Sequence, residues 1–460
     1  MKDMKKLLSR KILLICLICI ITIPALFIVS QRLVLGANDE MQKTYKNLEI
    51  FSNVLSLVQQ DYVEEIDTQA AIEGAIKGML SSLDPHSSYL KPDDFKELQV
   101  ETKGSFSGIG IEITLKDDML TVVSPIEDTP AFKAGIQAGD RIIKIENEPT
   151  KDMSLVEAVK KLRGPKGSKV TISIHREGWT DLQDFTITRD VIPIYSVKSD
   201  MMETGYGYAR VTNFQRNTAQ DLQDAIDELI QESELKGLIL DLRDNPGGLL
   251  DASVKVADLF LDNGIIVSTK GRLQDQNMEF SAHSGGPAYH FPIVVLINGG
   301  TASASEIVAG ALQDHKRALI LGTQSFGKGS VQTIIPMNDG AGLRLTTARY
   351  FTPNGTSIQA TGITPDVILP AIETKENDTS KTPMKFLREK DLLHHLENGS
   401  KPESEDEQTK EETAPDNKLI SKKFTIDEAT KERLKNDNQL NTALLVLKSL
   451  NVLSENNERE

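Results

Sequence analysis

Lys236-Gly237-Leu238-Ile239-Leu240-Asp241-Leu242-Arg243-Asp244-Asn245-Pro246-Gly247-Gly248-Leu249 reads as a buried strand, a tight turn and the start of a helix. A short apolar run bounded by turn residues is the mark of a strand packed inside a core. The surrounding chain repeats the theme. Leu249–Leu261 reads as helix, Ile265–Lys270 and Phe291–Asn298 as strands, and Ser303–Asp314 as helix. Ala318–Gly322, Val331–Met337 and Arg344–Phe351 read as further strands. Residues 195–373 therefore form an α/β domain. Its paired glycines, Gly247 and Gly248, leave backbone N–H groups with no side chain in the way.

Two turns of this domain carry candidate chemistry. Gly300-Thr301-Ala302-Ser303-Ala304-Ser305-Glu306 is a small-residue turn that opens a helix, and 25 residues after Ser303 comes Lys328 in Phe326-Gly327-Lys328-Gly329. Ser303 with Glu306 fits a capping box. The helix start also favours a nearby oxyanion, and Ala302 and Ala304 leave room for a polypeptide. A lysine buried against apolar walls such as Phe326 loses its proton more easily, which suits a general base. Gln332 stands where it could orient that amine. The N–H groups of Gly248 and Ala304 could form an oxyanion hole, with Gly247 left open as a donor. Together these residues make a nucleophile and base without histidine, a Ser-Lys pair. Gly322–Lys328 also matches the G-x-x-x-x-G-K spacing of a phosphate loop, but Gly329 replaces the required Ser/Thr and a strand follows instead of a helix. A Ser-His-Asp triad has only His283 or His290 to draw on, and no cluster suggests a metal.

Residues 104–190 change character. Short strand patterns at Gly110–Leu115, Leu120–Val123, Arg141–Ile145, Lys169–His175 and Asp184–Thr188 alternate with helical pieces near Ala131–Ala134 and Leu155–Leu162. In Phe106-Ser107-Gly108-Ile109-Gly110-Ile111, a glycine-flexed loop can aim successive N–H groups at a carboxylate, and the strand after it offers an edge to an extended peptide. With Pro130-Ala131-Phe132-Lys133-Ala134-Gly135-Ile136-Gln137-Ala138-Gly139-Asp140-Arg141-Ile142, the segment resembles a PDZ domain.

The remaining chain frames these two domains. Lys2, Lys5, Lys6, Arg10 and Lys11 precede an apolar run of 19 residues, Ile12 to Ser30, long enough to span a bilayer. Residues 1–37 are expected to be a signal peptide or membrane anchor that places the bulk of the chain outside. Both cysteines, Cys16 and Cys19, lie in that run, so the exported part has no thiol and a cysteine protease is excluded. Residues 41–103 read as helical, with Leu48, Phe51, Val54, Leu55 and Val58 at helical spacing. That stripe is expected to form an internal core, with an arm or dimer contact as the other reading. Residues 374–425 read as an acidic, disordered linker, and 426–460 as a helical segment carrying Leu440, Ala443, Leu444, Leu447 and Leu450. The net charge of −15 over 460 residues argues against a nucleic-acid partner.

The order of these parts resembles the C-terminal processing peptidases, or tail-specific proteases, from about residue 45 to 370. That resemblance implies a crotonase-like α/β core with an inserted PDZ domain and flanking helical segments. It implies that Ser303 is the nucleophile, Lys328 its base and Gln332 the supporting glutamine. Gly248 and Ala304 become the oxyanion donors, and Asp314, eleven residues after the serine, a structural support. It further implies that protein substrates with apolar C-termini dock at Gly108, Ile109, Gly110 and Ile111, that Arg163 takes part in gating, that no cofactor is needed, and that the active form is a homodimer. The expected location is exported, in the periplasm or on the outer face of a bacterial cytoplasmic membrane. The competing reading is a catalytically silent PDZ scaffold on the same core, against which intact Ser303, Lys328 and Gln332 argue.

Overall fold

The unbroken apolar runs at Gly237–Asp241 and Ile293–Ile297 have a direct structural cause: both are buried at every residue. Strands covered on both faces need apolar side chains at odd and even positions alike. Leu238, Leu240, Ile293, Val295 and Ile297 face one core. Ile239, Val294 and Leu296 face another, on the opposite side of the sheet.

The computed structural model describes residues 41–457 apart from 117–118, 152, 284, 286–288, 373–386 and 398–433. The expected leader or anchor at 1–37 lies outside the described residues, as does most of the expected linker. Among the described residues no helix is long and apolar enough to cross a membrane.

The described residues divide into two compact units, one up to Gly78 and one from Met79 onward. The first contains helix α1 (41–61) and most of α2 (Thr68–Ser81). Leu48, Phe51 and Val54 of α1 are exposed, so the expected internal core does not form there. A single amphipathic helix has too little neighbouring surface to bury such a stripe by itself.

The second unit begins with β1 (Ser88–Leu90) and α3 (Pro92–Lys103). The PDZ-like part follows as β2 (Ser105–Gly108), β3 (Ile111–Lys116), β4 (Met119–Pro125), α4 (Pro130–Lys133), β5 (Arg141–Ile145), β6 (Glu148–Pro149), α5 (Leu155–Leu162), β7 (Lys169–His175), β8 (Gln183–Thr188) and β9 (Asp190–Pro193). Its main sheet runs β3-β4-β5-β7-β8, which leaves β3 at an edge. Ile142, Ile145, Ile172 and Ile174 fill its own separate core.

The larger α/β part comprises β10 (Val197–Glu203), β11 (Tyr206–Val211), α6 (Thr218–Glu232), β12 (Gly237–Asp241), α7 (Leu250–Asp258), β13 (Ile265–Gly271), β14 (Met278–Ser281) and β15 (Ile293–Ile297). It continues with α8 (Ala304–Asp314), β16 (Leu319–Gly322), β17 (Ser330–Pro336), β18 (Gly342–Phe351) and β19 (Val367–Ile368). One sheet has the order β10-β11-β12-β15-β16-β19, parallel from β11 onward. Helices α6, α7 and α8 cover one face. Helix α9 (Asn438–Asn457) covers the other with Leu440, Ala443, Leu444 and Leu447. Each buried leucine contributes about 1.5–3 kcal/mol. A second sheet, β1-β18-β13-β14 with β17 against β18, completes the unit.

Within the span expected as linker, residues 387–397 are described and hold a short turn, Glu389–Asp391. A buried carboxylate rather than apolar periodicity anchors it, so composition gave no sign of it.

Candidate active site

Three turns meet at the C-terminal ends of the parallel strands. The first, after β12, is Leu242–Leu249. The second, after β15, is Asn298–Ser303. The third, after β16, is Thr323–Gly329. They are locked by short hydrogen bonds. The Ala302 N–H and the Ser305 hydroxyl both donate to the Asn245 carbonyl, at 2.9 and 3.0 Å. The Thr301 hydroxyl donates to the Leu242 carbonyl at 2.9 Å, and the Phe326 N–H to the Thr301 carbonyl at 3.0 Å.

This lattice holds Ser303 in a conformation that a free chain avoids, with φ 55° and ψ −114°. Such backbone costs on the order of 1–3 kcal/mol and persists only where surroundings over-determine it. Ser303 precedes α8, in whose first turn the Ser305 N–H donates to the Ala302 carbonyl and the Glu306 and Ile307 N–H groups to the Ser303 carbonyl. The capping-box expectation holds in one half. The Glu306 carboxylate accepts the Ser303 N–H at 2.8 Å. The Ser303 hydroxyl makes no capping bond and instead lies against the Tyr350 phenol, whose pKa burial pushes up to about 12 although Ser303 pulls it down.

Glu306 does far more than cap. It is fully buried, and four donors converge on it. Oε1 accepts from Ser325 Oγ at 2.5 Å and Gly327 N at 2.7 Å. Oε2 accepts from Ser303 N at 2.8 Å and Lys328 N at 2.9 Å. One carboxylate oxygen therefore bridges the backbones of Ser303 and Lys328. Burial pushes this carboxyl up to about 7, against the downward pull of its donors. Four donors on two oxygens match the acceptor-only character of the ionised form.

Lys328 is held below its ordinary value of 10.5, first by burial and then by Arg344, while Glu389, Glu306 and Asp84 pull the other way. Its amine makes no hydrogen bond or ion pair with a described residue. A desolvated, unpaired lysine is the state in which the neutral amine is easiest to reach. Gln332 is not joined to it. The Gln332 amide donates to Ser330 Oγ at 3.0 Å and reaches Thr346 Oγ1 at 3.5 Å.

The two glycines separate by their hydrogen bonds. The Gly247 N–H donates to Asn245 Oδ1 at 2.9 Å and is occupied. The N–H groups of Gly248 and Ala304 have no partner among the described residues. A Cβ added at Gly247 would lie 2.8 Å from Ser303 Cβ and 3.0 Å from Ala304 N, which shows how closely the turns approach. Gly248 has φ 143°, and a Cβ there would sit 2.2 Å from the Phe214 carbonyl oxygen.

In the PDZ-like part, Gly108 ends β2, Ile109 is buried, Gly110 has φ 80°, and Ile111 opens the edge strand β3. A Cβ at Gly110 would strike Thr129 at 2.3 Å, so the loop bends only with glycine there. Arg163, at the end of α5, places its guanidinium 4.9 Å from the Phe106 ring centre. Its Cγ would be 3.7 Å from a Cβ on Gly108. Arg163 therefore stands beside the loop, not at Ser303. Asp314 accepts the Asn354 N–H at 2.9 Å and braces a surface turn. Among the histidines, His283 pairs with Asp258 and His315 with the Ile265 carbonyl.

Comparison with known proteins gives this geometry a setting. Residues 205–369 match peptidase family S41, residues 121–176 a PDZ domain, and residues 28–94 the N-terminal domain of the activating protease CtpB. A carboxy-terminal-processing protease of Bartonella bacilliformis is 53% identical over 71% of this chain and 76% of its own length. The carboxy-terminal processing protease CtpA of Bacillus subtilis is 38% identical over 72% of this chain and 68% of its own. A solved photosystem II D1 C-terminal processing protease is 35% identical, covers 70% of this chain and 86% of its own, and gives a TM-score of 0.41.

Proposed function

Because the chain belongs to peptidase family S41, among the carboxy-terminal processing serine proteases with a PDZ domain, we propose that it is an exported endopeptidase that captures protein C-termini and cleaves through a Ser303–Lys328 dyad. The observation that carries this reading is the Glu306 carboxylate shared by the Ser303 and Lys328 backbones.

Neutral Lys328 takes the Ser303 hydroxyl proton as the oxygen attacks the scissile carbonyl. The oxyanion forms toward the N–H groups of Gly248 and Ala304, at the N-terminus of α8. Lys328 returns the proton to the leaving amine, and water then releases the acyl-enzyme. Gln332 supports this arrangement from the neighbouring strand. Because both N–H groups are free while that of Gly247 is occupied, Gly248 is the stronger choice of donor. Gly248→Ala keeps the N–H, but its Cβ would meet the Phe214 carbonyl oxygen at 2.2 Å and so push the turn aside. Misplacing this donor is expected to lower kcat by about 10²–10³-fold, measured by steady-state cleavage of an unfolded reporter. An unchanged kcat would place the oxyanion elsewhere.

Substrate enters at the PDZ part. An apolar C-terminus adds a strand to the free edge of β3, with its carboxylate at Gly108–Ile111 and Arg163 beside it. Gating follows if the guanidinium leaves Phe106 as the tail docks. The expected result is that amidating the C-terminus of a reporter ending in Leu-Ala-Ala lowers kcat/KM by about 10–100-fold, since charge-assisted hydrogen bonds are worth about 1.5–3 kcal/mol. Equal cleavage of free and amidated reporters would remove tail recognition. The exposed apolar stripe of α1 suits the contact of a homodimer, and residues 1–37 suit export to the periplasm or the outer face of a bacterial cytoplasmic membrane.

A further inference from the structure

The turn that carries Lys328 is held from two sides. On one side Glu306 takes the N–H groups of Gly327 and Lys328. On the other stands Glu389, a residue that returns to the core from beyond residue 386 and is 0% exposed. The Glu389 N–H donates to the Phe326 carbonyl at 3.2 Å. Its Oε1 accepts from Gln359 Nε2 at 3.0 Å, and Gln359 Oε1 accepts the Gly329 N–H at 3.0 Å. The residues at both ends of the Phe326–Gly329 turn are thus tied to Glu389, one directly and one through Gln359.

His86 completes the group. Its Nε2 lies 2.9 and 2.8 Å from the two Glu389 oxygens. The His86 turn is itself fixed by Asp84, which accepts the His86 and Ser87 N–H groups and the Thr346 hydroxyl of β18. Burying a carboxylate costs several kcal/mol unless it is well paired. An apolar side chain would hold the segment at lower cost, so the charge at Glu389 calls for a role beyond packing.

We propose that Glu389, with His86 and Gln359, is a positioning residue for the general base, fixing the Lys328 turn for proton transfer. The proposal rests on Lys328 being that base. Four charged groups face Lys328: Glu306 from α8, Asp84 from the turn before β1, Arg344 from β18, and Glu389. Glu389 favours the ammonium, so removing its charge allows deprotonation at lower pH.

The test is the pH profile of kcat for the full-length chain on an unfolded reporter. Glu389→Gln can keep both hydrogen bonds at the Oε1 position while losing the charge. Its acid limb is expected to move down by about 0.5–1 pH unit with KM within twofold of wild type. Glu389→Ala and His86→Ala are expected to lose about 10–100-fold in kcat with KM unchanged, as a loosened base does. A Glu389→Gln limb that superimposes on wild type, or kcat within twofold for both alanine variants, overturns the proposal. Should Glu389→Ala fail to fold, the Glu389→Gln profile decides alone. Lys328→Ala separates the two levels. If it remains active, the base assignment falls. If it is silent while the Glu389 and His86 variants match wild type, only the positioning role falls.

Discussion

Lys328→Ala is expected to lower kcat by about ten-thousand-fold, with reporter binding unchanged, and Ser303→Ala to do the same. Groups that act as one unit lose nearly everything when either is removed. Lys328→Arg should be equally silent. A guanidinium retains the positive charge but cannot give up a proton near neutral pH, so this variant separates a base from a mere cation. Wild-type activity should rise with pH, because only neutral lysine accepts the serine proton. Burial first, and Arg344 second, hold Lys328 below 10.5, so the rise begins earlier than an exposed lysine allows. Steady-state cleavage from pH 5 to 9 checks this. A Lys328→Arg enzyme with wild-type kcat would contradict the mechanism.

Glu306→Ala is expected to destabilise the fold by about 3–5 kcal/mol, because it leaves four buried donors without an acceptor. Those donors are Ser303 N, Ser325 Oγ, Gly327 N and Lys328 N. Glu306→Gln keeps the volume but turns an amide N–H₂ toward two donors. Its expected cost is about 10²–10³-fold in kcat, since a displacement near 1 Å at reacting groups has that effect. The pH dependence has a definite sign. Burial raises the folded carboxyl from 4.5 to about 7, so the folded state binds this proton more tightly than the unfolded chain. The stability contributed by the group is full below pH 4.5 and declines as pH rises toward 7. Activity moves the other way, because the ionised form is the one that accepts four donors. Glu306→Gln should flatten the stability trend and leave in the activity profile only the rise set by Lys328. Denaturant midpoints and kcat measured between pH 5 and 8 check the pair, and a Gln variant with wild-type kcat would leave Glu306 only a cap.

Much of this arrangement can be read from the chain, and the rest has identifiable physical reasons for being hidden. The strands at 237–241 and 293–297 stand out because both faces are buried. Edge strand β10 does not, since Lys198, Ser199 and Asp200 are exposed. Strand β11 carries Gly207 and Arg210, which break its apolar run. Helix α6 carries a legible signal in Leu222, Ile226 and Leu229, which recur at helical spacing and are all buried. Strand β1 is three residues long and exists only through its pairing with β18. Ser303 and Lys328 are marked by their small-residue turns. Glu306 was visible as a helix cap, but its reach to the lysine turn depends on how α8 sits between two loops. His86 and Glu389 are 303 residues apart and meet only in the folded chain.

Fluorophosphonate labelling of the full-length chain, followed by mass mapping of its peptides, tests the Ser303–Lys328 dyad most directly. The reagent forms a covalent adduct with a serine whose hydroxyl is activated by a base. The expected result is one adduct, on Ser303, at a rate that rises with pH and is lost in Lys328→Ala. An adduct on another serine, or equal labelling of Ser303 in wild type and Lys328→Ala, would contradict it.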